Sequence, residues 1–153
     1  MFRSAVLVAT VGLLAFLTGS RSAAQDTGRV HHQIIVPLED RFTPFAMTIR
    51  SGDSVRWTNL DTDDHTVVSD DFFNNAGHKG TNHLLPGTDS NGGVPGTFKL
   101  TFNRPGTFVF YCRFHAHLDD DHQPVAPGPL GGIQDSATGN FGTPMMGVIT
   151  VLP

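Results

Sequence analysis

A chain of 153 residues with 10 Lys and Arg against 14 Asp and Glu has a formal net charge of −4. That balance disfavours nucleic acid and anionic lipid as partners and leaves basic proteins open. A single cysteine, Cys112, excludes an internal disulfide framework, so the thiol is a buried apolar group, an intermolecular link, or a ligand or nucleophile with partners elsewhere in the chain.

The amino-terminal stretch reads as an export signal. Arg3 precedes a mostly apolar run from Ala5 to Leu17, and a polar "TGSRSAAQ" follows. Ser22 and Ala24 set small residues at −3 and −1 of a cut before Gln25. The apolar run is too short to span a bilayer comfortably. No cysteine lies near the cut, and there is no twin-arginine pair. Residues 1–24 are therefore expected to be a signal peptide and 25–153 a single domain without a stable membrane anchor, in the periplasm or outside the cell. Removing 1–24 takes away Arg3 and Arg21 and no acid, which leaves 129 residues at a net charge of −6. That length suits one domain with a proper core.

Short strands are expected at 34–36, 45–50, 54–59, 65–69, 97–102, 106–112 and 147–152. The evidence is period-2 alternation: Met47 with Ile49, Val55 with Trp57, and Phe98 with Leu100 and Phe102 share faces opposite polar neighbours. "Ser51-Gly52-Asp53" and "Arg104-Pro105-Gly106" are turn signals between runs. Beyond the first 24 residues no helical period is convincing, apart from a short helical turn expected around 71–76. No internal repeat is evident. Many short strands with Gly/Pro turns indicate a β-sandwich or barrel. Two long connections, 70–96 and 116–144, are rich in Gly, Pro, Asn and Asp, and loops of that length in a compact domain usually serve function.

The chemistry gathers around "FVFYCRFHAH". Phe108, Phe110 and Cys112 share one parity, so the thiol points inward at the end of its strand. His115 follows at C-x-x-H, where the chain must turn. Upstream, His65 opens "HTVVS", and downstream "TPMMGVITV" sets a thioether just before the last strand. A thiolate, two imidazoles and a weak thioether are the ligand types of a blue-copper site. Met145 shares parity with Ile149 and Val151, whereas Met146 shares it with Thr150, the one polar residue of the run. Parity thus favours Met145 as the inward thioether.

These motifs together resemble the plastocyanin/azurin-type cupredoxins, nearest in motif to plastocyanin and its bacterial relatives, over roughly 34–69 and 96–152. "FAMTIRSGDSVRWTNLDTDDHTVVSD" is similar to that family's G-D-x-V-x-W-x-N-x-D…H-x-V pattern. "GTFKLTFNRPGTFVFYCRFH" is similar to its G-x-F…F-x-x-P-G-x-F-x-Y-x-C-x-x-H, and "TPMMGVITV" to its final M-x-G-x-V-x-V. The resemblance implies an all-β Greek-key β-sandwich with two long loops. It implies one type 1 copper held by His65, Cys112 and His115, with Met145 as the axial ligand. One departure stands out: about thirty residues separate His115 from Met145, where plastocyanin has only a few. Thr66 stands where the family often has Asn, and its hydroxyl is suited to tie the two ligand loops together.

The implied function is one-electron transfer between a redox protein donor and acceptor, by a monomer that transforms no substrate. The alternative is a periplasmic copper carrier or resistance protein, against which the inward cysteine argues, since exchangeable sites favour exposed Met or His. Enzymes that use this domain need further domains and coppers. Tyr111, opposite in parity to Cys112, is expected to face outward, offering a path from the cysteine to the side of the molecule. The remaining histidines read as surface or loop residues. His117 and His122 flank Asp119, Asp120 and Asp121 in a solvated acidic loop without diagnostic ligand spacing, His78 and His83 lie in a Gly/Asn loop, and His31 and His32 begin the domain, with Thr27 at the third mature position.

Overall fold

The computed structural model describes residues 28–70, 72–129, 131–133, 139 and 142–153; the signal sequence expected at 1–24, and Thr27, lie outside them. Among the described residues ten strands run in chain order: β1 His31–Val36, β2 Ala46–Arg50, β3 Ser54–Asn59, β4 His65–Val68, β5 Asn82–Leu85, β6 Gly96–Thr101, β7 Gly106–Tyr111, β8 His117–Leu118, β9 Pro124–Val125 and β10 Met146–Leu152. One sheet has the order β1-β3-β6 and the other β2-β10-β7-β4-β5, with β8 and β9 forming a small hairpin of their own. Successive strands repeatedly change sheets, and β1–β3 and β2–β10 pair in parallel, so the chain forms the Greek-key sandwich expected rather than a run of hairpins.

The alternation read from the sequence becomes the core. Ile34, Val36, Val55 and Trp57 from the first sheet meet Ile49, Val67, Phe108, Phe110, Ile149 and Val151 from the second, all of them buried. Each such side chain contributes about 1.5–3 kcal/mol by leaving water. Trp57 sits at the centre, with its ring 5.4 Å from Phe110 and 5.7 Å from Phe98. The Phe110 edge also meets Phe42 at 4.8 Å.

The described residues of the two long connections include strands that the sequence does not suggest. The first contains β5, which pairs antiparallel with β4 so that Leu85 lies opposite His65. Residues 72–76 are bends and irregular backbone without a helical turn; Phe72 and Phe73 pack edge to face at 4.8 Å there. The second forms the β8–β9 hairpin and returns through a hydrogen bond from the Ile133 N–H to the Thr143 carbonyl. No helix among the described residues is long and apolar enough to cross a membrane.

Candidate metal centre

Three loops converge at one end of the sandwich. The first follows β3 and is organised by Asn59, whose buried amide donates to the carbonyls of Asp63 at 2.8 Å and Leu85 at 3.0 Å and accepts from the Asp61 N–H at 3.0 Å. An amide that both donates and accepts is what this tight turn requires, and the turn delivers Asp61 and then His65, fully buried, at the head of β4. The second loop follows β7: its alternation carries Phe108 and Phe110 inward and leaves Cys112 buried just past the strand end. A turn closed by the His115 N–H on the Cys112 carbonyl then brings His115 back over the thiol. The third precedes β10, where Met145 is stitched to both neighbours. Its carbonyl accepts from the Cys112 N–H at 3.0 Å, and its N–H donates to the His115 carbonyl at 3.2 Å.

The Cys112 sulfur lies 3.7 Å from His65 Nδ1 and 3.6 Å from His115 Nδ1, and the two rings are 5.0 Å apart. This set can hold a metal ion. With bonds of about 2.3 Å to sulfur and about 2.0 Å to nitrogen, the lengths usual for zinc, one ion sets sulfur and nitrogen about 3.5–3.7 Å apart at tetrahedral to trigonal angles. The observed separations match. Burial pushes the Cys112 thiol up, but hydrogen bonding to His115 and His65 and the Phe114 N–H bring it down to about 6, so the thiolate that a metal needs forms readily. Burial pushes His115 down, yet the Cys112 sulfur and the Asp40 carboxylate together hold it above the usual histidine value. The hydroxyl of Thr66, itself fully buried, donates to the sulfur at 3.8 Å and accepts from the Arg113 N–H at 2.9 Å, tying the two ligand loops as expected.

Of the four residues singled out from the sequence, the structure thus brings His65, Cys112 and His115 into one cluster. Met145 is fully buried beside them, whereas Met146 is half-buried and Thr150 exposed. Two carboxylates that the sequence did not single out complete the surroundings. Asp61 Oδ2 lies 3.3 Å from His65 Nε2, and Asp40 Oδ1 lies 3.6 Å from Nε2 of both His65 and His115. Desolvation raises the Asp40 carboxyl above its usual range, offset in part by the two histidines. Asp61 had a signal in its four-residue spacing from His65; Asp40, in the loop after β1, had none.

The other histidines have different partners. His78 bonds the Thr101 carbonyl at 2.8 Å, His83 stacks on Phe98 at 4.0 Å, and His31 bonds Ser54. His122 stacks on Phe72 beside Asp70, and Asp119 accepts from the N–H groups of Asp121 and Gln123 within its own turn. Tyr111 does point away from the core, but Leu118, His122 and Pro124 of the insertion gather around it and leave it half-buried.

A family model for copper binding proteins of the plastocyanin/azurin family matches residues 39–119, and the chain belongs to that family. The match spans His65, Cys112 and His115 and ends inside the insertion, before Met145. Among solved structures, the chain is similar to a purple cupredoxin from Nitrosopumilus maritimus, at 21% identity over 79% of this chain and 99% of that one, with a TM-score of 0.48. It is similar as well to amicyanin from Paracoccus versutus, at 16% identity over 83% and 86%, with a TM-score of 0.47. The chain is a copper-binding cupredoxin, and its donor set of one thiolate and two imidazoles suits that metal.

Proposed function

We propose that this chain is an exported one-electron carrier whose single type 1 copper is held by His65, Cys112 and His115, with Met145 as a weak axial ligand. The observation that carries the reading is the buried triad, in which two Nδ1 atoms face one sulfur at 3.6 and 3.7 Å. Copper bound there supplies a one-electron couple, soft sulfur favouring Cu(I) and imidazole nitrogen keeping Cu(II) accessible. Cys112 and His65, both without solvent exposure, keep water from the ion. The hydrogen bonds linking Thr66, Cys112, Met145 and His115 hold the donor atoms in one arrangement, so that little has to move when the charge changes.

His115 is the half-buried ligand, and it borders a shallow depression with Thr62, Asp63, Asp64, Asp89, Ser90 and Phe114. The half-exposed Phe114 ring gives a partner apolar contact, and the aspartates favour a positively charged redox protein. A copper carrier or resistance role would call for a more exchangeable site than a triad with a buried thiol. The signal pattern at 1–24 supports export, with the mature domain running from Gln25 onward.

Loading the 25–153 protein with Cu(II) and recording its visible and EPR spectra tests this reading. An intense thiolate-to-copper band with reversible one-electron cycling is expected. A colourless product without that band overturns the type 1 assignment.

A further inference from the structure

We propose that Asp40 is a positioning residue for the copper centre, facing the remote nitrogens of both imidazole ligands and biasing the metal toward its oxidised state. The inference rests on the ligand assignment above and deepens it.

Asp40 is held in place by its loop. The Ile35 and Thr43 backbones exchange two hydrogen bonds of 2.8 Å, closing the segment between them into a compact excursion from β1. Phe42, 3% exposed, plugs that excursion into the core against Phe110, two residues before Cys112. The Leu60 N–H donates to the Val36 carbonyl, joining this loop to the one that delivers His65. At its tip Asp40 takes φ of 49° and is 4% exposed, so its side chain is turned inward over the site.

The rings lie between the sulfur and this carboxylate. Each presents Nδ1 to Cys112 and Nε2 to Asp40, whose Oδ1 is 3.6 Å from both Nε2 atoms. Asp61 reaches His65 at 3.3 Å, whereas Asp40 faces both rings. A neutral imidazole that ligates through Nδ1 carries its proton on Nε2. At 3.6 Å the Asp40 oxygen is an ion-pair neighbour of each ring rather than a hydrogen-bond acceptor, and the hydrogen bond on His65 Nε2 is made with Asp61; Asp40 acts on both rings through its charge, which favours the proton on Nε2 and makes the ligating nitrogen a stronger donor. The Asp40 carboxylate, when ionised, sets a negative charge beside both ligand rings, which favours the higher charge on the metal.

The test substitutes Asp40→Asn. Asparagine keeps the side-chain shape and is among the residues that tolerate positive φ, so the loop should fold unchanged. In the copper-loaded variant we expect the blue band to persist while the ratio of Cu(II) to Cu(I) affinity, measured by chelator competition, falls about tenfold. At about 59 mV per tenfold for one electron, that ratio raises the reduction potential by about 60 mV. In the Cu(I) protein, the His115 Nε2–H should exchange with water faster than in the wild type by NMR. The apoprotein should unfold at the wild-type temperature, which separates positioning from a structural role. A blue variant with unchanged affinity ratio and potential overturns the proposal, as does a potential shift accompanied by an equal loss of apoprotein stability. Failure of the wild type itself to become blue would instead strike the ligand assignment, so the two outcomes are distinguishable.

Discussion

Gly147→Ala is expected to destabilise the protein through a single contact. Gly147 lies opposite Phe110 in the β10–β7 pairing, and the Phe110 ring crosses it. A Cβ there would stand 2.5 Å from Phe110 Cζ, 3.0 Å from Cε1 and 3.0 Å from the Phe45 carbonyl oxygen. Carbon atoms rest at about 3.5–4.0 Å, so the ring must move by about 1 Å. It has little room to do so, with Phe42 at 4.8 Å, Trp57 at 5.4 Å and Phe108 at 5.9 Å. The Phe45 carbonyl is fixed by the Val148 N–H. Overpacking of this kind costs about 1–3 kcal/mol. Gly147 does not take a positive φ, so no backbone strain adds to it. Lower freedom in the unfolded chain offsets about 0.4–1 kcal/mol, and the middle of the two ranges leaves a net loss of about 1.3 kcal/mol. At about 4 °C per kcal/mol for a domain of this size, Tm falls by about 5 °C. Thermal unfolding of the apoprotein, followed by Trp57 fluorescence, measures it. A variant that melts within 1 °C of the wild type would refute the claim that Phe110 cannot give way.

Met145→Leu is expected to shift the reduction potential of the blue protein while Met146→Leu leaves it nearly unchanged, since only Met145 is fully buried beside Cys112 and His115; cyclic voltammetry giving the reverse order would move the axial role to Met146. Acid should destabilise the fold in part through Asp53. Hydrogen bonds from the Arg50 and Val30 N–H groups, helped by His32, hold its carboxyl down to about 2. Because the folded value lies below the unfolded one of about 3.9, the stability it contributes is full above about pH 4 and is lost as pH falls toward 2. Urea midpoints should therefore drop across that window, and drop less steeply in Asp53→Asn; parallel slopes would remove Asp53 from the account.

What could be read from the sequence was local and periodic. Alternation in "SVRWTN" and "GTFVFY" fixes which residues face inward, so Trp57, Phe108, Phe110 and Cys112 were assignable from parity and are all buried. The same rule separated Met145 from Met146. Where parity carried no signal, the reading failed. β5 is only "NHLL", too short and too polar at its start to alternate, and it is recognisable only by its pairing with β4. The two-residue strands β8 and β9 have no pattern to read. Asp40 is the extreme case, since it lies 25 positions before His65 and reaches the site only because Phe42 anchors its loop.

The insertion between His115 and Met145 is the chain's departure from the family pattern, and its two ends lie side by side in the fold. The two ends of the insertion are joined at its base, because Met145 bonds to Cys112 and to His115 through its backbone, extending the β7–β10 ladder beyond Tyr111 and Met146. The described residues between Ala116 and Pro144 leave and rejoin the fold at this closed ring of hydrogen bonds. Lengthening a flexible loop costs about 0.6 kcal/mol per doubling, so growth from about four residues to about thirty, some three doublings, costs about 2 kcal/mol. The β8–β9 pairing and the packing of Ile133 against the core offset part of that. Cys112, His115 and Met145 all sit at this closure, at the base of the loop. The excursion instead changes the flank, where Leu118, His122 and Pro124 gather beside Tyr111, while His115 borders the depression lined by Thr62 and Phe114.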